Sequence, residues 1–182
     1  MAQFWRSQAG NQVGVGAGTA LANTTTLTDI SPAPQVVIPA NYLFVGQRLR
    51  LTAYGIYSNT STPTLLLGVY YGGVAGTLIA ATAANATPSG VTGVSWQVVL
   101  DILVKTTGSS GTVWANGSAT VFQTLAGGAS GNPLVYALPT TQTQPITVDT
   151  TTAKALTVGA AWGTANSSNT ITCEDAYVET LG

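Results

Sequence analysis

The sequence predicts an all-β protein: an antiparallel two-sheet sandwich of about eight strands behind an extended N-terminal arm. Three observations predict it. No segment of ten or more residues sets apolar side chains at helical spacing among good helix formers. Several stretches alternate apolar and polar residues with the period of a strand. The segments between them are rich in Gly, Pro, Asn and Ser, the residues of turns. Without helical crossovers, parallel pairing is not expected. Eight antiparallel strands in roughly 160 residues fit a jelly roll. A lipocalin-like barrel is the alternative and would show more even strand lengths. No internal repeat is visible, which sets aside propellers and β-helices.

The strongest element is SWQVVLDILVKTTGSSGTVWANGSATV, residues 95–121. Trp96, Val98, Leu100, Ile102 and Val104 share one face of a strand. Ser95, Gln97, Asp101 and Lys105 share the other, with Val99 and Leu103 as apolar intruders. TTGSSG supplies the turn. Val113, Ala115, Ala119 and Val121 then alternate with polar residues on the return strand, making a long hairpin. In GQRLRLTAYGIYS, Leu49, Leu51 and Ala53 oppose Arg48, Arg50, Thr52 and Tyr54. TLLLGVYYGG is a near-continuous apolar strand ended by Gly72 and Gly73. TLIAAT at 77–82 is a short strand, and PITVDT with TAKALTVGAAW gives one or two across 145–162. NTITCEDAYVET closes the chain at 169–180, and TALANTTTLTDI at 19–30 gives a weaker first strand. Residues 1–18 read as the arm, ordered where something holds it, and 19–182 as one domain.

Composition narrows function. The chain has 182 residues, of which 6% are charged, against about 25% in an average globular domain. Net charge is −1, and the five cations Arg6, Arg48, Arg50, Lys105 and Lys154 are scattered. Nucleic acid is therefore not an expected partner, because gripping a polyanion takes several clustered cations. The first ten residues lack the apolar core of a signal peptide, and no apolar run reaches the roughly 20 residues of a membrane helix. The single Cys173 sits beside Ile171 and reads as a buried core thiol. The five N-x-S/T triplets, at Asn23, Asn59, Asn85, Asn116 and Asn166, are of the kind that chance supplies in a Thr-rich chain.

Nothing in the sequence assembles a reaction centre. There is no histidine, which excludes Ser–His and Cys–His nucleophile pairs and Cys–His zinc sites. Glu174 and Asp175 are adjacent, so an unbulged strand sends them to opposite faces. Asp101 and Asp149 meet only if the tertiary fold brings them together. GVGAG at 14–18 lacks the strand, helix and lysine of a phosphate-binding loop. A calcium site from carbonyls with Asp149, Glu174 or Asp175 stays open, although no EF-hand spacing occurs. The expectation is no enzyme and no cofactor. Contact residues are the remaining candidates: Tyr54, Tyr57 and Trp114 toward a subunit or partner, with Trp96 in the core. Phe4, Trp5 and Arg6 form an apolar and cationic hook on the arm. A near-neutral surface of Thr, Ser, Asn and Gln is cheap to cover, so a closed cyclic homo-oligomer is expected.

IPANYLFVGQRLRLTAYGIYS, TPTLLLGVYYGG, SWQVVLDILVKTTGSSGTV and the ending ITVD…LTVGAAW…NTITCEDAYVETL follow in an order that resembles jelly-roll virion proteins of tailed bacteriophages. These are trimeric capsid decoration proteins and fibre or spike heads. The likeness covers most of residues 19–182 and lies in strand order, not in a diagnostic motif. It implies a non-enzymatic structural protein with a TNF-like jelly roll, trimeric, made in the host cytoplasm and carried on the capsid surface of the virion. The arm would then anchor through Phe4, Trp5 and Arg6 on the major capsid protein. No fibre shaft or collagen-like repeat is present, which favours decoration. A receptor- or carbohydrate-binding head is the alternative. A genome-enclosing coat ranks below both, because the first 47 residues hold one cation, Arg6, and one acid, Asp29.

Overall fold

The computed structural model describes residues 9–10, 17–123, 133–140 and 142–181. Among them it holds strands and turns and no helix. The strands are β1 (Ala9–Gly10), β2 (Leu21–Ala22), β3 (Thr28–Asp29), β4 (Val36–Ile38), β5 (Arg48–Ser58), β6 (Thr64–Tyr71) and β7 (Thr77–Ala81). They continue with β8 (Asn85–Ala86), β9 (Val94–Thr106), β10 (Gly111–Val121), β11 (Leu134–Leu138), β12 (Ile146–Val148), β13 (Lys154–Trp162) and β14 (Thr170–Thr180). All pairings are antiparallel and form two sheets. Sheet A runs β1-β14-β5-β9-β10-β11, with β2 also on β14 and β12 on β10. Sheet B runs β3-β13-β6-β7, with β4 on β13 and β8 on β6.

The connection order is that of a jelly roll. The first strands, β1 and β2, pair with the last, β14; β3 and β4 pair with β13; β5 pairs with β9; β6 pairs with β7. A folded ribbon of such pairs wraps into two sheets with a common core. β10, β11 and β12 are an insertion in this order and widen sheet A beyond β9.

The strand count exceeds the expected eight. The single first strand expected over 19–30 is two short pieces, β2 in sheet A and β3 in sheet B. Asn23 turns the chain between them in the left-handed region (φ 52°), and the Thr24 hydroxyl accepts from the Thr26 amide. β4, β8 and β11 were not among the expected strands. The segment 145–162 is two strands in different sheets, β12 and β13. Asp149 turns the chain between them by accepting from the Thr151 amide (2.9 Å) and hydroxyl (2.6 Å).

The hairpin forms as expected. β9 and β10 pair from Trp96↔Val121 to Thr106↔Thr112. Its alternation holds: Trp96, Val98, Leu100, Ile102 and Val104 are buried, as are Val113, Ala115, Ala119 and Val121. From across the sandwich, Leu65, Leu67, Val69, Leu156, Val158 and Trp162 complete one core. Trp96 Nε1 donates to the Thr172 carbonyl (3.1 Å), so its polar atom is satisfied inside.

The central strands of sheet B, β6 and β13, are buried on both faces over most of their length, which is why they read as apolar runs. On its outer side the Tyr70 ring lies over Gly68 and Gly159, and a Cβ on Gly159 would stand 2.8 Å from both that ring and Val74. Sheet A keeps a wet outer face, and that is where the candidate site lies.

Candidate functional site

The outer face of sheet A is built by the positions of β5, β9, β10 and β14 that alternate with the core. Register sets them in rows across the strands. Arg48, Leu103 and Trp114 form one row; Glu179, Arg50, Asp101 and Asn116 form the next. Tyr177, Thr52, Val99 and Ser118 follow, then Asp175, Tyr54, Gln97 and Thr120. β11 continues these last two rows with Ala137 and Val135. The intruders of the alternation, Val99 and Leu103, sit half-buried on this face beside Thr52 and Trp114.

Two features distinguish the face. First, it carries large exposed apolar side chains: Trp114 (49% exposed), Val135 (63%), Ile56, Tyr54 and Phe122. Second, it gathers Arg48, Arg50, Lys105, Asp101, Glu174, Asp175 and Glu179, with Arg50 and Asp101 paired across the strands. Arg50 Nε donates to Asp101 Oδ1 at 2.6 Å and Nη2 to Oδ2 at 2.8 Å, a bidentate cross-strand pair. The hydrogen bond from Arg50 holds the Asp101 carboxyl below the usual carboxylate range. Tyr54 Oη donates to Asp175 Oδ2 at 2.9 Å, and this bond raises the Tyr54 phenol.

A β-bulge between Cys173 and Asp175 shifts the register of β14. Cys173 and Ala176 are both buried, while Glu174 is exposed and Asp175 partly so. The extra residue therefore turns both carboxylates away from the core. The sequence expectation of opposite faces held for an unbulged strand only.

The candidate residues separate. Tyr54 and Trp114 lie on this face, three rows apart. Tyr57 does not face a partner: it is 1% exposed, in the core, and its Oη donates to the Phe122 carbonyl at 2.7 Å. The reason is parity, since Tyr57 falls in step with Leu49, Leu51 and Ala53. Phe4, Trp5 and Arg6 lie outside the described residues. Ile56, Val135 and the Arg50–Asp101 pair are the contributors that sequence reasoning missed.

Beside Trp114 the face dips into a hollow of about 110 Å³ lined by Arg48, Asp101, Ile102, Leu103 and Asn116. Among the described residues, no three His, Cys, Asp or Glu side chains form a group fit to hold a metal ion. Cys173 is buried, which pushes its thiol up to about 12. No helix among the described residues is long and apolar enough to cross a membrane.

No protein-family model, curated protein or solved structure matches the chain. What fold and face together define is a class: a charge-poor antiparallel β-sandwich of jelly-roll connection with one broad, partly apolar sheet face open to contact.

Proposed function

We propose that this chain is a non-enzymatic structural protein that works in several copies, most simply as a trimer, decorating the outer capsid surface of a tailed phage and stabilising its head. The observation that carries the assembly reading is the outer face of sheet A. At one end it exposes Tyr54, Ile56, Phe122 and Val135 in neighbouring rows, and three rows away it exposes Trp114. Arg50 and Asp101 are paired with each other in place, so covering that pair strands neither ion. The cations there are mixed with Asp101, Glu174, Asp175 and Glu179, which supports a protein partner over nucleic acid. The carboxylates also support a structural reading, since most hold the fold. Asp101 binds Arg50, Asp175 binds Tyr54, Asp149 binds Thr151, and Asp29 accepts from the Ser31 amide and Gln35 Nε2. The capsid setting, with the major capsid protein as partner, rests on the resemblance in strand order.

A second reading, a carbohydrate-binding head, is favoured by the hollow at Trp114. An exposed indole beside Arg48, Asp101 and Asn116 offers a sugar both a stacking surface and polar partners.

The test is a Trp114→Asp, Val135→Asp double variant of the full chain, compared with wild type by mass in solution and by immunogold labelling of phage particles. The expected result is a folded variant that no longer associates, and wild-type label on the head. A variant that assembles unchanged overturns the role of this face. Label at the tail tip, with glycan binding lost on Trp114→Ala, favours the second reading.

A further inference from the structure

The hollow beside Trp114 has a charge of its own. Arg48 on β5, Leu103 on β9 and Trp114 on β10 form one row. Leu103 is half-buried between the other two, which stand two strand spacings, about 10 Å, apart. Asp101 and Asn116, in the next row along the strands, close one side of the hollow of about 110 Å³. A closed cavity of about 150 Å³ takes a benzene ring, so this open hollow has room for much of one six-membered ring. It lies three rows, about 20 Å, from Tyr54 and Val135, so the two ends of the face are separate places.

The electrostatics of the hollow are one-sided. Both carboxylate oxygens of Asp101 are engaged by Arg50, Oδ1 from Nε at 2.6 Å and Oδ2 from Nη2 at 2.8 Å. The Arg48 guanidinium makes no hydrogen bond or ion pair among the described residues, and neither does the side-chain amide of Asn116. Lys105, the next outward position after Leu103 on β9, is exposed and has no ion pair among them. The single acid lining the hollow is therefore compensated, while its cation is not.

Each group matches one part of a ligand. A half-exposed indole offers a flat apolar surface to the C–H face of a sugar ring. A free guanidinium is a planar fork that grips a carboxylate with two parallel bonds. A free amide both donates to and accepts from hydroxyls. We propose that the hollow takes an acidic sugar, a pyranose bearing a carboxylate, with its ring on Trp114, its carboxylate on Arg48 and a hydroxyl on Asn116. This rests on the reading of the hollow as a sugar site and adds to it the charge of the sugar.

The test is saturation-transfer NMR on the full chain with D-glucuronate, D-glucose and acetate as probes. The expected result is that glucuronate binds roughly tenfold more tightly than glucose, the factor of about one charge-assisted hydrogen bond, and that acetate displaces it only weakly. Arg48→Gln should remove the preference, so that the two sugars bind alike, and Trp114→Ala should abolish binding of both. Arg48→Gln leaves the fold in place, because it is the Arg48 carbonyl, not the guanidinium, that accepts from the Leu181 amide. Equal affinities in wild type, or a preference that survives Arg48→Gln, would overturn the proposal, while glucose binding lost on Trp114→Ala would keep the hollow as a neutral-sugar site. Acetate as strong as glucuronate would reduce the site to a simple anion contact and overturn the sugar. Binding of neither sugar would overturn both the proposal and the reading beneath it.

Discussion

At the scale of single residues, the Arg50–Asp101 pair has a pH signature. The Arg50 hydrogen bond lowers the folded-state pKa of Asp101 below its unfolded value. Stability from this group is therefore fully present above the ordinary carboxylate pKa of about 4. It is lost as pH falls through the lower, folded value. Asp101→Asn should lower the melting temperature slightly at neutral pH and make it fall less steeply on the acid side, both effects small because the pair is partly exposed. An acid limb as steep as wild type would mean that Asp101 is not held by Arg50 in solution. The alternation that puts Leu49, Leu51 and Ala53 inside also puts Tyr57 inside, while residue type alone does not decide, because tyrosine suits core and surface. The spacing Ile171, Cys173, then Ala176, Val178 already contains the bulge, since a strand with buried residues out of step must hold one extra residue.

At the scale of elements, long strands were legible and short ones were not. β9 and β10 announce themselves by alternation over many residues. β2, β3 and β8 are two residues each, and no periodicity exists in two residues; their pairing is fixed by neighbours distant in the chain. β11 reads LVYAL, apolar throughout, so nothing in it says which side faces out, and the exposure of Val135 is not legible from it. Sheet B makes its own prediction. Tyr70 covers Gly68 and Gly159, and a methyl on Gly159 would meet the Tyr70 ring and Val74 at 2.8 Å. Gly159→Ala should therefore destabilise by about 1–3 kcal/mol, the cost of overpacking. In a Tyr70→Ala background the penalty should shrink, because the ring that causes it is gone. An equal penalty in both backgrounds, measured by denaturant unfolding, would place the strain elsewhere.

At the scale of the whole molecule, the two sheets meet water differently. The central strands of sheet B, β6 and β13, are buried on both faces, while sheet A offers one broad face that mixes apolar side chains with the Arg50–Asp101 pair. That asymmetry arises from composition. With so few ionisable groups, the chain has little to keep a neutral face apart from its like. The architecture was legible from strand order. The contact face was only half legible, because which outward residues are apolar depends on how β11 joins β10. The central claim, that this sandwich exists to be covered by copies of itself, meets its most direct test in the mass of the purified full chain by light scattering, taken over a wide range of concentration at neutral pH. The expected result is a single species at three times the 18.4 kDa chain mass, persisting on dilution. A species of one chain mass at every concentration would contradict it.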